Sequence, residues 1–253
     1  MTHIDINCDM GELPEAIEDG TQESLMPNLT SVNIACGGHA GDEETMRATV
    51  AQALRHGLGI GAHPGYPDRA NFGRLELDMP LDELAESICR QIAALAAVAD
   101  RAGASMIHVK PHGALYNQAV RNQALARTIA DGVARFDRGL VLMGLAGSPM
   151  LDVFRDAGFG VAAEAFADRR YEPDGSLRPR RFEDALIRDP EQAALQAVRI
   201  ATEGRAVASN GAEIALHAGT ICIHGDTPGS PAIASAVARR LREQGVGLVA
   251  IRR

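Results

Sequence analysis

Short apolar stretches of strand length alternate along the chain with longer segments of helical period. The strand-like stretches are residues 4–8, 31–36, 58–62, 106–109, 140–145, 160–165 and 220–223, with a possible last one at 246–251. Helices are predicted after Asp42 and over residues 80–101 and 230–245, with weaker ones over 118–136 and 190–203. This alternation is typical of βα units, in which helices connect the strands of a parallel sheet.

Polar and glycine residues collect directly after these stretches, at their carboxyl ends. Asp9 and Glu12 follow the first stretch. The second stretch leads into Cys36, Gly37, Gly38 and His39, the third into His63 and Tyr66, and the fourth into Lys110, His112 and Tyr116. The sixth leads into Glu164, Asp168 and Arg169, and the seventh into His224 and Asp226. The opposite connections, residues 55–57 and 100–103, lack such clusters. In a β/α barrel all carboxyl ends meet at one rim, where such folds place their chemistry.

An open, doubly wound sheet would gather strand ends only at its switch point. So many contributing strands therefore favour a closed fold. We predict an α/β protein with a single imperfect (β/α) barrel of about seven parallel strands over residues 1–253, with one catalytic rim.

One segment interrupts the rhythm of strands and helices. Residues 168–189 (DRRYEPDGSLRPRRFEDALIRD) carry six arginines, two prolines and an Asp-Gly turn signal. Connections of this length are uncommon and are often active-site lids. Because the segment follows a strand end, we predict that it is a lid insertion.

Charge and cysteine content narrow the choice of partners. The 33 acidic and 25 basic residues give a net charge of −8, and no basic run is present, which argues against nucleic acid as a partner. No apolar stretch approaches the roughly 18 residues that span a bilayer, so no membrane association is expected. The four cysteines show no CxxC spacing, which suits a reducing cytoplasm.

Lys110 is the only lysine in the chain, beside 24 arginines. A guanidinium cannot replace a compact, titratable ammonium group where a site requires one. Since Lys110 lies among the polar residues that follow the fourth stretch, we predict a functional role for it.

Six motifs in order carry a resemblance to a known family. They are INCDMGE (6–12), NIACGGHAGD (33–42), IGAHPGYPD (60–68), VKPHGALYN (109–117), EAFADRRY (164–171) and ICIHGDTPG (221–229). Together they resemble the LamB/YcsF family over nearly the whole chain.

The resemblance implies a seven-stranded barrel related to the glycoside hydrolase and deacetylase barrels. It also implies the A subunit of an ATP-dependent 5-oxoprolinase, which opens the lactam ring of 5-oxo-L-proline to L-glutamate together with separate B and C subunits. ATP, with Mg²⁺, is then an expected cofactor. The chain lacks the GxxxxGK[ST] sequence of a P-loop, so nucleotide contacts would fall to turns such as Gly37-Gly38, to Lys110 or to arginines of the insertion.

A lactam is an unactivated amide, and its hydrolysis needs groups that move protons and stabilise charge. We assign catalysis to Asp9 as the base, to Lys110 as the charge-stabilising group, and to His39, His63 and His112 for protons and orientation. Substrate contacts are predicted for Glu12, Cys36, Gly37, Gly38, Tyr66, Tyr116, Glu164, Arg169, His224 and Asp226. Structural interpretations compete with some of these: Asp9 and Glu12 as a cap and turn pair, Asp226 as a helix cap, and Cys36 as a packing residue.

Two other functions remain open at the level of the sequence. One is a metal-dependent amide or N-acetyl hydrolase in which Asp9, His39 and His63 ligate a divalent metal ion, as an Asp-His-His set does in the related deacetylases. The other is a non-catalytic module that binds the lactam for its partners. The sequence also leaves open where ATP binds and whether the chain forms a homo-oligomer.

Overall fold

Parallel strands close into a barrel in the computed structural model of the chain, which describes residues 2–227 and 229–253. The described strands are β1 (His3–Met10), β2 (Ser31–Ala35), β3 (Gly59–His63), β4 (Met106–Val109), β5 (Val141–Leu145), β6 (Val161–Phe166), β7 (Arg205–Val207), β8 (Glu213–Ala215), β9 (Thr220–Cys222) and β10 (Gly247–Leu248). The barrel runs β1-β2-β3-β4-β5-β6-β9, and it closes because β9 also pairs with β1. The predicted barrel of seven parallel strands is thus confirmed.

The remaining strands lie outside this ring. β10 extends the sheet by pairing with the first residues of β1, so only two residues of the possible last stretch are a strand. β7 and β8 form an antiparallel hairpin that the apolar pattern did not predict.

Helices follow most strands and pack around the barrel. They are α1 (Pro14–Glu18), α2 (Thr21–Leu25), α3 (Glu43–Arg55), α4 (Leu81–Arg101), α5 (Gly113–Ala119), α6 (Gln123–Ala134), α7 (Pro149–Asp156), α8 (Pro190–Glu203) and α9 (Ser230–Glu243). The Asp42 carboxylate caps α3 by accepting a hydrogen bond from the Thr45 amide. The single helix predicted over 118–136 is instead two helices, because Asn122 breaks the run and caps α6.

The inside of the barrel is polar, although barrels of this type are commonly filled by branched apolar side chains. Asp5, Asn7 and Asp9 alternate along β1 and share its inward face, because successive side chains of a strand point to opposite sides. The Asn33 amide donates to both Asn7 Oδ1 (2.7 Å) and Asp9 Oδ1 (2.8 Å). His108 donates from Nε2 to Asn33 Oδ1 (2.7 Å), and burial lowers the pKa of His108 to about 3, so its ring is neutral. A hydrogen-bonded column therefore supports the rim from below.

The arginine-rich segment 168–189 begins two residues after the end of β6. Isolated bridges join Arg169 to Leu186 and Tyr171 to both Leu177 and Ala208. No helix in the described part of the chain is long and apolar enough to cross a membrane.

The hydrogen-bonded column should make the stability of the fold sensitive to substitution of Gly61, because the absence of a side chain there makes room for His108. A Cβ atom at Gly61 would lie 2.0 Å from His108 Nε2. We expect Gly61→Ala to lower the free energy of unfolding by about 1–3 kcal/mol, the usual cost of overpacking a core. The matched control is Gly160→Ala, whose Cβ would meet Val141 at an ordinary 3.6 Å. Urea denaturation of both variants is the measurement, and equal losses would contradict this account of the interior.

Candidate active site

A cavity of about 700 Å³ opens at the carboxyl ends of the barrel strands. It brings together most of the residues that the sequence analysis selected: Asp9, Glu12, His63, Lys110, His112, Tyr116, Arg169, His224 and Asp226. These side chains come from segments far apart in the chain, and parallel strand direction alone places them at one mouth.

Lys110 lies at the floor of this cavity, directly after β4, and is 3% exposed. Its ammonium nitrogen is 2.8 Å from Asp9 Oδ1, 2.9 Å from Glu164 Oε1 and 3.1 Å from the Cys222 sulfur. Burial alone would lower the pKa of Lys110, but the Asp9 carboxylate and its other acidic neighbours outweigh burial and raise this pKa well above its ordinary value. The site therefore contains a permanent buried positive charge.

Asp9 is the second-last residue of β1 and lines the cavity beside this ammonium. Its Oδ1 accepts hydrogen bonds from Lys110 and Asn33, and its Oδ2 lies 3.3 Å from His63 Nε2. Burial would raise the pKa of Asp9, but the charges of His63 and Lys110 lower it well below its ordinary value. Asp9 is therefore an ionised carboxylate, as a base requires.

Backbone carbonyls orient two of the histidines. His63 donates from Nδ1 to the Lys110 carbonyl (2.8 Å), and His112 donates from Nε2 to the Phe72 carbonyl (2.9 Å). Because a carbonyl can only accept, these nitrogens carry hydrogen. The two nitrogens that remain, His63 Nε2 and His112 Nδ1, lie 3.0 Å apart, and each is also beside a carboxylate, that of Asp9 (3.3 Å) and that of Glu12 (3.1 Å) respectively.

Glu12 completes this cluster. Its Oε1 lies 2.9 Å from His39 Nε2 and 3.1 Å from His112 Nδ1. His39 is buried behind the mouth with its ring stacked on His112 at 3.5 Å, and burial lowers the pKa of His39 to about 4. Hydrogen bonds from His112 and His39 outweigh burial and lower the pKa of Glu12. Two carboxylates, from Asp9 and Glu164, thus contact one lysine, and Glu12 adds a third carboxylate among the histidines.

These residues fit a divalent metal ion. One ligand atom each from Glu12, His39, His63 and His112 lies within 4.8 Å of the others. Backbone carbonyls that fix imidazole tautomers are a common support for metal ligands, and a set rich in imidazole suits an ion such as Zn²⁺ better than Mg²⁺. The set predicted from the sequence was Asp9, His39 and His63. In the structure Glu12 and His112 join the two histidines, while Asp9 groups with Cys222 and His224.

His224 and Asp226 follow β9, which pairs with β1, and both line the cavity. His224 Nδ1 is 2.9 Å from the buried carboxylate of Asp168. Asp226 lies 2.6 Å from Arg74 and 3.2 Å from Arg180, so it joins two rim segments. It does not cap the next helix, because the residue before α9 is Gly229.

Other predicted site residues lie away from the cavity. The Tyr66 hydroxyl donates to Gln118 Oε1 (2.5 Å), and Gly38 packs closely against Gln91 and the Gly65 carbonyl. Burial raises the pKa of Cys36 to about 12, which makes its thiol a packing group. The residues that do not line the cavity are His39, Cys36, Gly37, Gly38, Tyr66 and Glu164. Glu164 contacts Lys110 and Asn7.

Some supporting residues were missed from the sequence. Asn7 and Asn33 hold Asp9 and Lys110 from below, and polar residues at positions 5, 7 and 9 were a visible period-two signal for them. The Phe72 carbonyl that orients His112 carries no side-chain signal at all, because any residue there offers a carbonyl. Phe72 nevertheless adopts a positive φ of 55°, a conformation uncommon for a bulky residue.

A closed β/α barrel with carboxylates, imidazoles and an ammonium around a cavity at its carboxyl ends is the architecture of a barrel enzyme. The profile of the LamB/YcsF family matches residues 4–253, and the chain belongs to this family. A protein of Chloroflexus aggregans, named as the A subunit of 5-oxoprolinase, is 48% identical over 246 residues, which cover 97% of this chain and 98% of that protein. A crystal structure of the lactam utilization protein from Thermus thermophilus superposes with a TM-score of 0.90 at 39% identity, covering 98% of this chain and 100% of that one.

A more distant likeness concerns the fold alone. A family 4 carbohydrate esterase from Streptomyces lividans superposes with a TM-score of 0.50 at 11% identity, over 98% of this chain and 91% of that chain. The expected relation to deacetylase-type barrels is therefore present at the level of the fold.

The buried ammonium generates a prediction about stability. Lys110→Met would leave the Asp9 and Glu164 carboxylates unpaired, and we expect the free energy of unfolding to fall by about 3–5 kcal/mol. Adding Glu164→Gln should recover part of this loss, because one buried charge is then removed. Arg90→Met, which breaks an exposed helical pair with Glu86, is the control and should cost about 0.5 kcal/mol or less. Urea denaturation at neutral pH tests this, and a double variant no more stable than Lys110→Met would refute the charge argument.

Proposed function

We propose that this protein is the A subunit of a 5-oxoprolinase, which opens the lactam ring of 5-oxo-L-proline to L-glutamate with hydrolysis of ATP and acts together with B and C subunits. The observation that carries the proposal is the ionised Asp9 carboxylate at the cavity floor, beside the Lys110 ammonium at 2.8 Å. The similarity to proteins named as A subunits of 5-oxoprolinase supports the choice of substrate.

Water must be activated and negative charge must be stabilised when a lactam carbonyl is attacked. Asp9 takes a proton from the attacking water, and Lys110 supplies positive charge next to the oxygen on which negative charge develops. His63 and His112 line the cavity beside Asp9 and Glu12 and orient the reacting groups. Because an amide is stable, its carbonyl needs activation. Phosphorylation by ATP supplies it by turning the carbonyl oxygen into a leaving group.

The substrate carboxylate needs a cationic partner, and Arg169 offers one. Arg169 lines the cavity but is only 6% exposed, and its Nε atom has no hydrogen-bond partner among the described residues. Burial, together with the nearby Arg180, lowers the pKa of Arg169 to about 10, so the guanidinium remains charged at neutral pH and gains from an anion. We assign it to the carboxylate of 5-oxoproline, and the segment 168–189 that carries it to a lid over the bound substrate.

The proposal also includes a location in the cytoplasm. The four cysteines are free thiols, which fits a reducing cytoplasm where ATP is available.

Glutamate release tests the catalytic role of Asp9. In the complex of this chain with its B and C subunits, supplied with 5-oxoproline and ATP, we expect Asp9→Asn to lower turnover by about 10²–10⁴-fold, because the base is lost. Asp152→Asn, an exposed substitution on α7, is the matched control and should retain full turnover. If turnover survives Asp9→Asn, the chain only binds the lactam and its partners perform the chemistry.

The cluster of Glu12, His39, His63 and His112 favours a second candidate, a metal-dependent amide hydrolase. Bound there, a divalent ion would polarise the carbonyl and lower the pKa of water. The chain's own groups would still be needed to orient the substrate and to move protons.

Metal analysis separates the two candidates. If the second is right, the purified chain carries about one Zn²⁺ or similar ion, His112→Gln loses it, and amide hydrolysis proceeds without ATP. His217→Gln, an exposed histidine outside the site, should retain the ion. Strict dependence on ATP, with full activity after chelation and dialysis, would exclude this candidate.

A further inference from the structure

His224 and Asp168 form a hydrogen-bonded pair that the proposed mechanism does not use. Asp168 follows β6 and His224 follows β9, 56 positions later in the chain, and adjacent strand ends bring them together. The Asp168 carboxylate is fully buried and accepts from His224 Nδ1 (2.9 Å), from the His224 amide (3.1 Å) and from the Thr227 hydroxyl (3.0 Å). Three donors on one carboxylate fix both its position and that of the imidazole.

The pair directs the rest of the imidazole into the cavity. The ring lies on the face of Phe166, with centroids 5.4 Å apart and planes 16° apart. His224 lines the cavity, and one of its ring nitrogens lies within 4.8 Å of an Asp9 carboxylate oxygen. A carboxylate that holds Nδ1–H fixes the tautomer and stabilises the imidazolium, which leaves Nε2 to exchange protons with a ligand.

The other candidate proton donors are committed elsewhere. His63 and His112 each donate one nitrogen to a backbone carbonyl and turn the other toward the carboxylates. Lys110 is held between Asp9 and Glu164. The nitrogen that leaves when a lactam opens is a poor leaving group until it is protonated. The reaction therefore needs an acid within reach of the carbon that is attacked by the water at Asp9.

We propose that His224 is the general acid that protonates the leaving nitrogen of the lactam, and that Asp168 is its positioning residue. The inference rests on the proposed function. In the tetrahedral adduct formed after water attack, the C–N bond breaks and its electron pair goes to nitrogen, which takes the proton from His224 Nε2. A lone pair on the oxygen that came from water re-forms the C=O bond and the proton of that oxygen passes to solvent. The phosphoryl group stays on the other oxygen, so the product is an acyl phosphate of glutamate, and its hydrolysis releases phosphate and L-glutamate. Asp9 has taken one proton from water and His224 has given one to nitrogen, so return of a proton from Asp9 to His224 restores both groups.

A pair of substrates distinguishes an acid from a merely structural residue. When the ring of 5-oxoproline opens, the leaving group is a nitrogen, whereas in the matching lactone it is an oxygen. Departure of an oxygen depends much less on protonation. In the complex with B and C subunits we expect His224→Gln to lower kcat on the lactam by about 10²–10⁴-fold, and the loss on the lactone to be at least about tenfold smaller. KM should change little for either substrate. His217→Gln is the matched control.

Variants of the partner residues test the positioning role. Asp168→Asn should reproduce the selective loss on the lactam, and Thr227→Val, which removes only one hydrogen bond to Asp168, should reproduce it more weakly. Nitrogen-15 NMR of the imidazole should show hydrogen on His224 Nδ1 in the wild-type chain and a shift toward the Nε2 tautomer in Asp168→Asn. The thermal unfolding temperature of each variant shows whether it is folded.

Equal losses on lactam and lactone, or an unprotonated Nδ1 on His224 in the wild-type chain, would overturn the inference. A wild-type complex inactive on 5-oxoproline would instead refute the proposed function. The NMR result would then still decide whether Asp168 holds His224 in the required tautomer.

Discussion

The ion pair between the Lys110 ammonium and the Asp9 carboxylate, inside the mouth of the barrel, is the interaction on which the rest of the site depends. A buried ammonium is costly unless carboxylates and hydrogen bonds surround it, and Asp9, Glu164 and Asn7 meet that need. In return the charges of His63 and Lys110 lower the pKa of Asp9 and keep it ionised despite its burial. The polar barrel interior exists to hold these two charges, which is why asparagines and a neutral histidine occupy positions where other barrels place valine and leucine.

Two sets of acidic and imidazole side chains lie in or beside the cavity. On one side of it, Glu12 contacts His39 and His112, and Asp9 lies beside His63 and Lys110. That side can hold a proton or a divalent cation. Next to it, where β9 pairs with β1, the buried carboxylate of Asp168 holds His224. These groups therefore line the same cavity, in which a small amide fits.

The sequence predicts the barrel and the rim because both depend on local pattern. Apolar stretches, helix signals and polar strand ends placed Asp9, His63, Lys110 and His224 at one mouth, as the structure shows. The sequence does not predict the direction in which the chain turns after each strand. Gly37 and Gly38 follow a strand end like the others, yet neither lines the cavity, and Gly38 packs against Gln91. The pairing of His224 with Asp168 joins strands β6 and β9, and the carbonyls that fix His63 and His112 have no sequence signal.

The central claim is that one cavity binds the lactam between Asp9 and His224, above Lys110. A crystal structure of the complex or the chain with 5-oxo-L-proline bound tests it most directly. The account predicts the ring carbonyl carbon within reach of a water held by Asp9, the ring nitrogen next to His224 Nε2, and the carboxylate on Arg169. A lactam bound outside this cavity, or bound with its amide group turned away from Asp9, would contradict it.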